Sequence, residues 1–316
     1  MKKALVTGGA GFIGSHLARR LLAEGWEVAI VDNLSTGSKD NIPPGARFVL
    51  LDLSKDGFEK QLPGGPVDAV FHLAAQSSGE ISFDDPAYDL KTNCLSTVLL
   101  LDWCLKNGTK RFMYTSSMSI YGDQERQPVD EAAMPKPKSF YGIGKLASEA
   151  YAGIYAGMGL NTTSLRLFNV YGPGQNMRNL RQGMVSIYMA YILKNEPVTV
   201  KGSPDRYRDL VYIDDVVMAY MKCLDNKKTF GKSYNVGSGR KTTVRELVHA
   251  ELAAFGYDPA AYPVEYGGST PGDTFGIVAD SGALKHDTGW EPAMELPEGL
   301  KRMRDWALSV KGAASC

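Results

Sequence analysis

Residues 6–14 read VTGGAGFIG; they end the apolar run KALVT (3–7) and open a helical pattern from about Phe12 to Ala23. Gly8, Gly11 and Gly14 are spaced by three, and Gly9, Gly11 and Gly14 also fit G-x-G-x-x-G. A bare match to that spacing is weak, but between a strand and a helix it has the context the motif needs. The glycines let the backbone turn tightly and approach a pyrophosphate. The helix N-terminus adds unpaired N–H groups and a partial positive charge. The next apolar run, EVAIVD (27–32), ends in Asp32, eighteen residues after Gly14. A carboxylate there accepts hydrogen bonds from an adenosine ribose and repels a 2′-phosphate, which favours NAD over NADP. Lys39, in the following loop, is the nearby cation that argues the other way. Asp52 ends the run RFVLLD (47–52), where adenine would lie; its alternative reading is a solvated strand-end carboxylate.

Outward from this turn, apolar runs alternate with helical patterns. DAVFHLA (68–74), KRFMYTSS (110–117) and NTTSLRLFNV (161–170) read as further strands, with a long helical pattern from about Tyr88 to Lys106 and another from Tyr141. Continuous apolar strands separated by helices predict a parallel sheet covered on both faces, and right-handed crossovers make it doubly wound. After about Asn169 the texture changes to YGPGQNMRNLRQG, then a helix over 184–194, a short strand PVTV and the segment RDLVYIDDVVMAYMKCL. The predicted fold class is therefore α/β: a Rossmann domain over 1–168, to which about 208–236 returns, and a smaller α/β substrate domain over 169–316. Helices are expected near 243–255, 280–286 and 297–311.

Composition sets bounds. The 316 residues are 44% hydrophobic and 22% charged, with Lys plus Arg and Asp plus Glu both 35. A net charge of zero offers no basic stripe for nucleic acid and no basic amphipathic segment for a membrane. The start, MKKALVTGG, resembles a signal peptide until glycine cuts its apolar run after five residues, and no run approaches a membrane span. Cys94, Cys104, Cys223 and Cys316 have no C-x-x-C spacing, which argues against a metal site or disulfide framework and for a reduced, cytoplasmic protein.

The stretch SFYGIGKLASEAY (139–151) puts Tyr141 and Lys145 one helical turn apart, on one face. An ammonium beside a phenol favours the phenolate and lowers a pKa that is otherwise ~10, so the pair could exchange a proton near neutral pH. By itself Tyr-x-x-x-Lys is also an ordinary solvated pair.

Taken in order, TGGAGFIG, Asp32, HLAA (72–75), TSSMSIYG (115–122) and Tyr141-x-x-x-Lys145 resemble an extended short-chain dehydrogenase/reductase. Within that superfamily the chain is similar to the nucleotide-sugar epimerases and dehydratases, nearest the UDP-hexose 4-epimerases. RLFNVYGPG (166–174), RDLVYIDD (208–215) and YNVGSG (234–239) extend the resemblance over nearly the whole chain. It implies bound NAD held by Gly8, Gly11, Phe12, Ile13, Gly14, Asp32, Asn33, Asp52, Leu53, Leu73, Ala74, Ala75, Asn93, Tyr141 and Lys145. It makes Tyr141 the catalytic tyrosine, Lys145 the lysine on the nicotinamide ribose and Ser117 the partner of the sugar 4-hydroxyl. Ser116 competes for that last role, but strand alternation sends it to the other face. His72 reads as a packed strand histidine. No metal is implied.

The implied reaction is NAD-dependent C4 epimerisation of a UDP-linked hexose through a 4-keto sugar, with Tyr141 moving the 4-hydroxyl proton. A 4,6-dehydratase needs an Asp-Glu pair where this chain has Met118 and Ser119. Uronate epimerisation, decarboxylation and 4-ketoreduction are further outcomes of the same chemistry, and an inactive NAD-binding scaffold is the alternative of another class. By the resemblance Asn169 and Arg208 match residues that contact the nucleotide-sugar diphosphate and Asp273 is a further substrate-binding residue, whereas a salt bridge to Asp209 or Asp214 is the structural alternative for Arg208. Two positions depart from the pattern: Thr270 stands where a second diphosphate arginine is common, and Lys201 where an aromatic often packs on the base. Arg178, Arg181 or Arg240 could supply the missing charge, and Ile277 falls near the position that gates bulk at the sugar C2. A second apolar face on the helices at 88–106 (Val98 to Leu101, Trp103) and from Tyr141 (Leu146, Ala147, Ala150, Tyr151, Ile154, Tyr155) predicts a homodimer.

Overall fold

The computed structural model describes residues 1–313; Cys316 lies outside them. The first half forms β1 (Lys3–Thr7), α1 (Phe12–Ala23), β2 (Glu27–Asp32), β3 (Arg47–Leu50), β4 (Ala69–His72), α2 (Pro86–Leu90), α3 (Ser96–Lys106), β5 (Arg111–Ser117), α4 (Phe140–Gly157) and β6 (Asn161–Leu167). The second half adds β7 (Asn169–Tyr171), α5 (Met184–Leu193), β8 (Val198–Lys201), β9 (Tyr207–Arg208), β10 (Leu210–Tyr212), α6 (Ile213–Leu224), β11 (Lys232–Val236), β12 (Thr242–Thr243) and α7 (Val244–Ala254). β13 (Val264–Gly267), β14 (Gly276–Ile277), α8 (Gly282–Thr288) and α9 (Leu296–Ala313) complete it.

The central sheet has seven parallel strands in the order β11-β6-β5-β4-β1-β2-β3. The order reverses between β1 and β4, and in such sheets ligands bind in the crevice beyond the strand ends at that point. The two faces are both buried, as the near-continuous apolar strands predict. Alternation along β1 sends Ala4 and Val6 to the core under α1 and α6, and Leu5 to the core under α3. Burial of whole side chains such as Leu17, Leu21, Leu100 and Leu101 stabilises by roughly 1.5–3 kcal/mol each.

Two predicted elements are interrupted. The helix expected over 88–106 is α2 and α3 joined by a π-helical turn, Lys91–Leu95. There Ser96 Oγ donates to Thr92 O (2.5 Å), and Thr97 Oγ1 (2.8 Å) and Ser148 Oγ (2.7 Å) both donate to Asn93 O. These hydroxyls satisfy carbonyls that a regular α-helical ladder would otherwise engage. The strand expected over 161–170 breaks at Phe168, whose N–H donates to Val236 O. The next residues pair instead with β10, so the chain leaves the main sheet at the cavity's edge. β11 comes back to it beside β6.

Candidate active site

A cavity of about 510 Å³ opens at the strand-order reversal. One end is main chain. Gly8 has φ +70°, and a Cβ there would stand 2.6 Å from Ala74 N; a Cβ on Gly14 would overlap the Gly8 carbonyl. Neither position admits a side chain, and their backbones line the cavity with Gly11, Phe12 and Ile13. Asp32 accepts from Ala10 N (3.0 Å) and Leu34 N (2.8 Å), tying the glycine turn to the end of β2. Burial pushes its carboxyl up, against these two bonds. Asn33, Leu53, Leu73, Ala74 and Ala75 also line this end. Burial pulls Asp52 up as well, but hydrogen bonds from Ser54 N and Oγ outweigh it and hold the carboxyl below the usual range. The glycine cradle and the carboxylate at the end of β2 fit a dinucleotide with an unphosphorylated adenosine ribose.

At the other end of the cavity, beyond the same ends of the strands, β5 and α4 meet. Ser139 caps α4 by accepting from Gly142 N (3.1 Å), so Tyr141 enters in the first turn. A Cβ on Gly142 would lie 2.6 Å from Ser119 O, which is why this turn can press against β5's end. Ser117, Tyr141 and Lys145 all line the cavity, and the Ser117 hydroxyl, which donates to Ser119 Oγ (3.2 Å), acts on the Tyr141 phenol. Ser116 turns away and donates to Glu149 Oε2 (2.8 Å), a carboxylate paired with Arg166. Lys145 Nζ donates to Thr115 O (2.8 Å) and lies 5.7 Å from the Tyr141 ring centre.

The expected lowering of the tyrosine is corrected here. Burial pushes Tyr141 up to about 12; the Ser117 hydrogen bond opposes this and the Asp89 carboxylate adds to it. Lys145 spends its hydrogen bond on a carbonyl, and burial brings it down to about 7, with Asp89 pulling the other way. Burial thus works against the charged form of both groups, and a cation near the phenol is needed to free its proton. His72 is packed: Nδ1 meets Thr7 Oγ1 (2.7 Å), Nε2 meets Thr97 Oγ1 (3.0 Å), and burial lowers it to about 3. Asn93, assigned to the cofactor, instead lies buried behind the wall and donates to Gln76 O and Asp89 Oδ2 (both 3.0 Å). The π-helical turn that carries it points its side chain into the protein.

The substrate half is side chain against side chain. Asn169 lines the cavity with its buried Oδ1 free of any hydrogen bond. Arg208 and Asp273 lie outside the cavity lining and pair with each other, Nη2 to Oδ1 at 2.5 Å. The partner is thus neither Asp209, which accepts from Ser238 N, Gly239 N and Ala279 N, nor Asp214. Arg206 also pairs with Asp273. It is not among the residues singled out above, although it lies two residues before Arg208, just ahead of β9. Arg181 is held by Glu80 and Asp84, Lys201 by Glu80, and Arg240 by Glu295. Arg178 is exposed. Ile277 does not gate the cavity: it is buried with Ile120, Tyr121, Val129 and Phe168. The wall that sequence reasoning missed is amide-rich, with Gln76, Gln175, Asn176, Asn179 and Gln182. The polar density of QNMRNLRQ was its one signal. Among the described residues no His, Cys, Asp or Glu cluster could hold a metal ion, and no helix is long and apolar enough to cross a membrane.

Residues 4–237 match the NAD dependent epimerase/dehydratase family. A UDP-glucose 4-epimerase of Mycolicibacterium smegmatis is 34% identical over 309 residues, covering 95% of this chain and 96% of the relative. UDP-glucuronic acid decarboxylase 1 of Arabidopsis thaliana is 33% identical over 310 residues, covering 95% of this chain and 68% of the relative. The crystal structure of UDP-glucose 4-epimerase with UDP-glucose from Thermotoga maritima superposes with a TM-score of 0.91 at 36% identity, over 98% of this chain and 99% of that one.

Proposed function

The chain belongs to the NAD dependent epimerase/dehydratase family, and we propose that it inverts C4 of a UDP-linked hexose. The observation that carries this reading is the meeting of Ser117, Tyr141 and Lys145 in one cavity with the glycine cradle. NAD, when bound along Gly8–Gly14 and Asp32, supplies the acceptor and donor of the C4 hydride. Tyr141 takes the 4-hydroxyl proton and, once the 4-keto sugar has turned to present its other face, returns that proton to the C4 oxygen. Ser117 orients that hydroxyl, and the Lys145 ammonium favours the phenolate once it faces the ribose. Uridine diphosphate is assigned to the Asn169 and Arg208–Asp273 side.

An uncharged hexose is favoured over a hexuronate. Lys145 is the one cation among the described residues lining the cavity, whose other polar side chains are amides, hydroxyls and the Asp32 and Asp52 carboxylates. Met118 and Ser119 line it without a carboxyl, which disfavours 4,6-dehydration. The test is a panel of UDP- and other nucleotide sugars followed by NMR. Reciprocal conversion of UDP-glucose and UDP-galactose supports the reading. A 4-keto-6-deoxy product, or turnover of uronates alone, contradicts it.

The same reading puts the protein in the cytoplasm and in a homodimer. Leu100, Leu101 and Trp103 are buried within the chain, which corrects their expected place on the outer face. Ile143, Tyr151, Ile154 and Met158 on or just beyond α4, with Leu90 and Leu95, remain exposed and are the self-complementary patch a two-fold pairing would cover. Light scattering near twice 34.4 kDa supports the dimer; a mass near 34.4 kDa removes it.

A further inference from the structure

One buried carboxylate near the reacting pair has no part in the chemistry above. Asp89 on α2 is 1% exposed. Its Oδ2 accepts from Gln76 Nε2 (2.8 Å) and Asn93 Nδ2 (3.0 Å), while its Oδ1 is buried with no hydrogen bond. The helix that carries Tyr141 and Lys145 runs close over it. A Cβ on Gly144, the residue before Lys145, would stand 3.5 Å from that free oxygen and 3.1 Å from Asn93 Cβ. Gly144 therefore lets α4 come down on the carboxylate, at the point where α4 bears its lysine. On the far side Gln76 lines the cavity. Asp89 thus joins the cavity wall to the helix of the reacting pair.

The other titratable groups facing the pair carry no opposing charge near neutral pH. His72 on β4 is held to about 3, and burial pushes Tyr114 on β5 and Tyr220 on α6 far up. Glu149 on α4 is cancelled by Arg166. Asp89 is the carboxylate that acts on both Tyr141 and Lys145, and no cation hydrogen-bonds it.

We propose that Asp89 is a positioning residue: its carboxylate is the counter-charge that holds Lys145 as an ammonium, and its hydrogen bond fixes Gln76 in the cavity wall. This rests on the roles given above to Tyr141 and Lys145. A negative charge raises the pKa of both groups, so its loss lowers both. At the separation of one packed helix pair the effect is on the order of one pH unit.

The experiment compares kcat/KM against pH for wild type, Asp89→Asn, Asp89→Glu and Gln76→Ala with bound NAD. It is paired with ultraviolet titration of tyrosinate, each protein against its Tyr141→Phe counterpart. Asn keeps the size and an acceptor for the two amides, and removes the charge. The expected result is a whole profile moved to lower pH by about one unit in Asp89→Asn, matched by an earlier tyrosinate transition. Asp89→Glu restores the wild-type limbs. Gln76→Ala lowers kcat/KM with both limbs in place. A slower Asp89→Asn whose limbs and tyrosinate transition coincide with wild type overturns the proposal and leaves Asp89 a packing residue. Should Asn at this position prevent folding, Asp89→Ser is read by the same two measurements. If wild type turns over no nucleotide sugar, the proposed function fails, while the tyrosinate titration still decides the effect of Asp89.

Discussion

At the β1 end the cavity wall is backbone, whereas on the β9 side, outside the lining, cationic side chains are already paired. Gly8 and Gly14 shape the first by having no Cβ, and Asp32 ties it with two main-chain hydrogen bonds. Beyond the second, Arg206 and Arg208 share Asp273, and Arg181 and Lys201 share Glu80. A backbone cradle depends on glycine spacing and strand order alone, so it is rigid and reads any dinucleotide pyrophosphate alike. A set of paired side chains beyond the wall can exchange partners with a ligand, and its specificity depends on which pairs open. The first kind of site defines a family; the second distinguishes its members.

The largest effect is expected where the two ends meet. Tyr141→Phe removes one hydroxyl that the Ser117 side chain engages. It should cost on the order of 10²–10⁴ in kcat, the scale of a positioned proton-transfer group, with NAD content and melting temperature unchanged. Activity within a few-fold of wild type would remove Tyr141 from the reaction.

The backbone end is tested by Gly14→Ala. The new Cβ meets the Gly8 carbonyl, so the protein should purify without dinucleotide and melt lower, whereas wild type releases NAD on denaturation. Retention of NAD by Gly14→Ala would mean that the turn has slack the geometry denies it. NADP in the wild-type supernatant would overturn the role of Asp32.

Beyond the side-chain end, Arg208→Ala should raise KM for the nucleotide sugar ~10–10²-fold, as expected when one member of a buried charge pair is lost. Its effect on kcat should be small, and Arg181→Ala, whose partners are Glu80 and Asp84, should shift KM far less. Equal effects would merge the two pairs into one binding surface.

The smallest effect is on stability alone. Glu251 on α7 is fully buried with neither carboxylate oxygen hydrogen-bonded, and burial raises it well above 4.5. A carboxyl with a raised folded pKa gives its full stability below the unfolded value and loses it as pH rises towards the folded one. Wild type and Glu251→Gln should therefore melt closest together near pH 4, and the wild type should fall behind by a few degrees as pH rises to 8. A gap that stays constant with pH would mean that Glu251 does not change protonation on folding.

Legibility in the sequence followed the same division. The glycine turn, Asp32, the apolar strand runs and the Tyr141–Lys145 pair depend on spacing within one stretch of chain, and periodicity carries such information directly. The partners of Arg208 were misjudged because Asp209 and Asp214 are near it in sequence, while Asp273 comes near only when β14 pairs with β9. Asn93 and the π-helical turn escaped because hydroxyls at Ser96, Thr97 and Ser148 decide the backbone there. Ile277 was placed by likeness to relatives, and the cluster around Phe168 takes it instead. The pKa of Tyr141 went wrong in direction because burial is a property of the closed fold, while the lysine one turn away is visible in the sequence.

The central claim is that one cavity removes and returns a hydride at C4 without releasing it. UDP-glucose carrying deuterium at C4, incubated with the purified protein in ordinary water, tests it most directly. The account predicts UDP-galactose with the deuterium still on C4, at equilibrium with the starting sugar. Loss of the label to solvent during inversion, or no inversion by a protein that has retained its NAD, would contradict it.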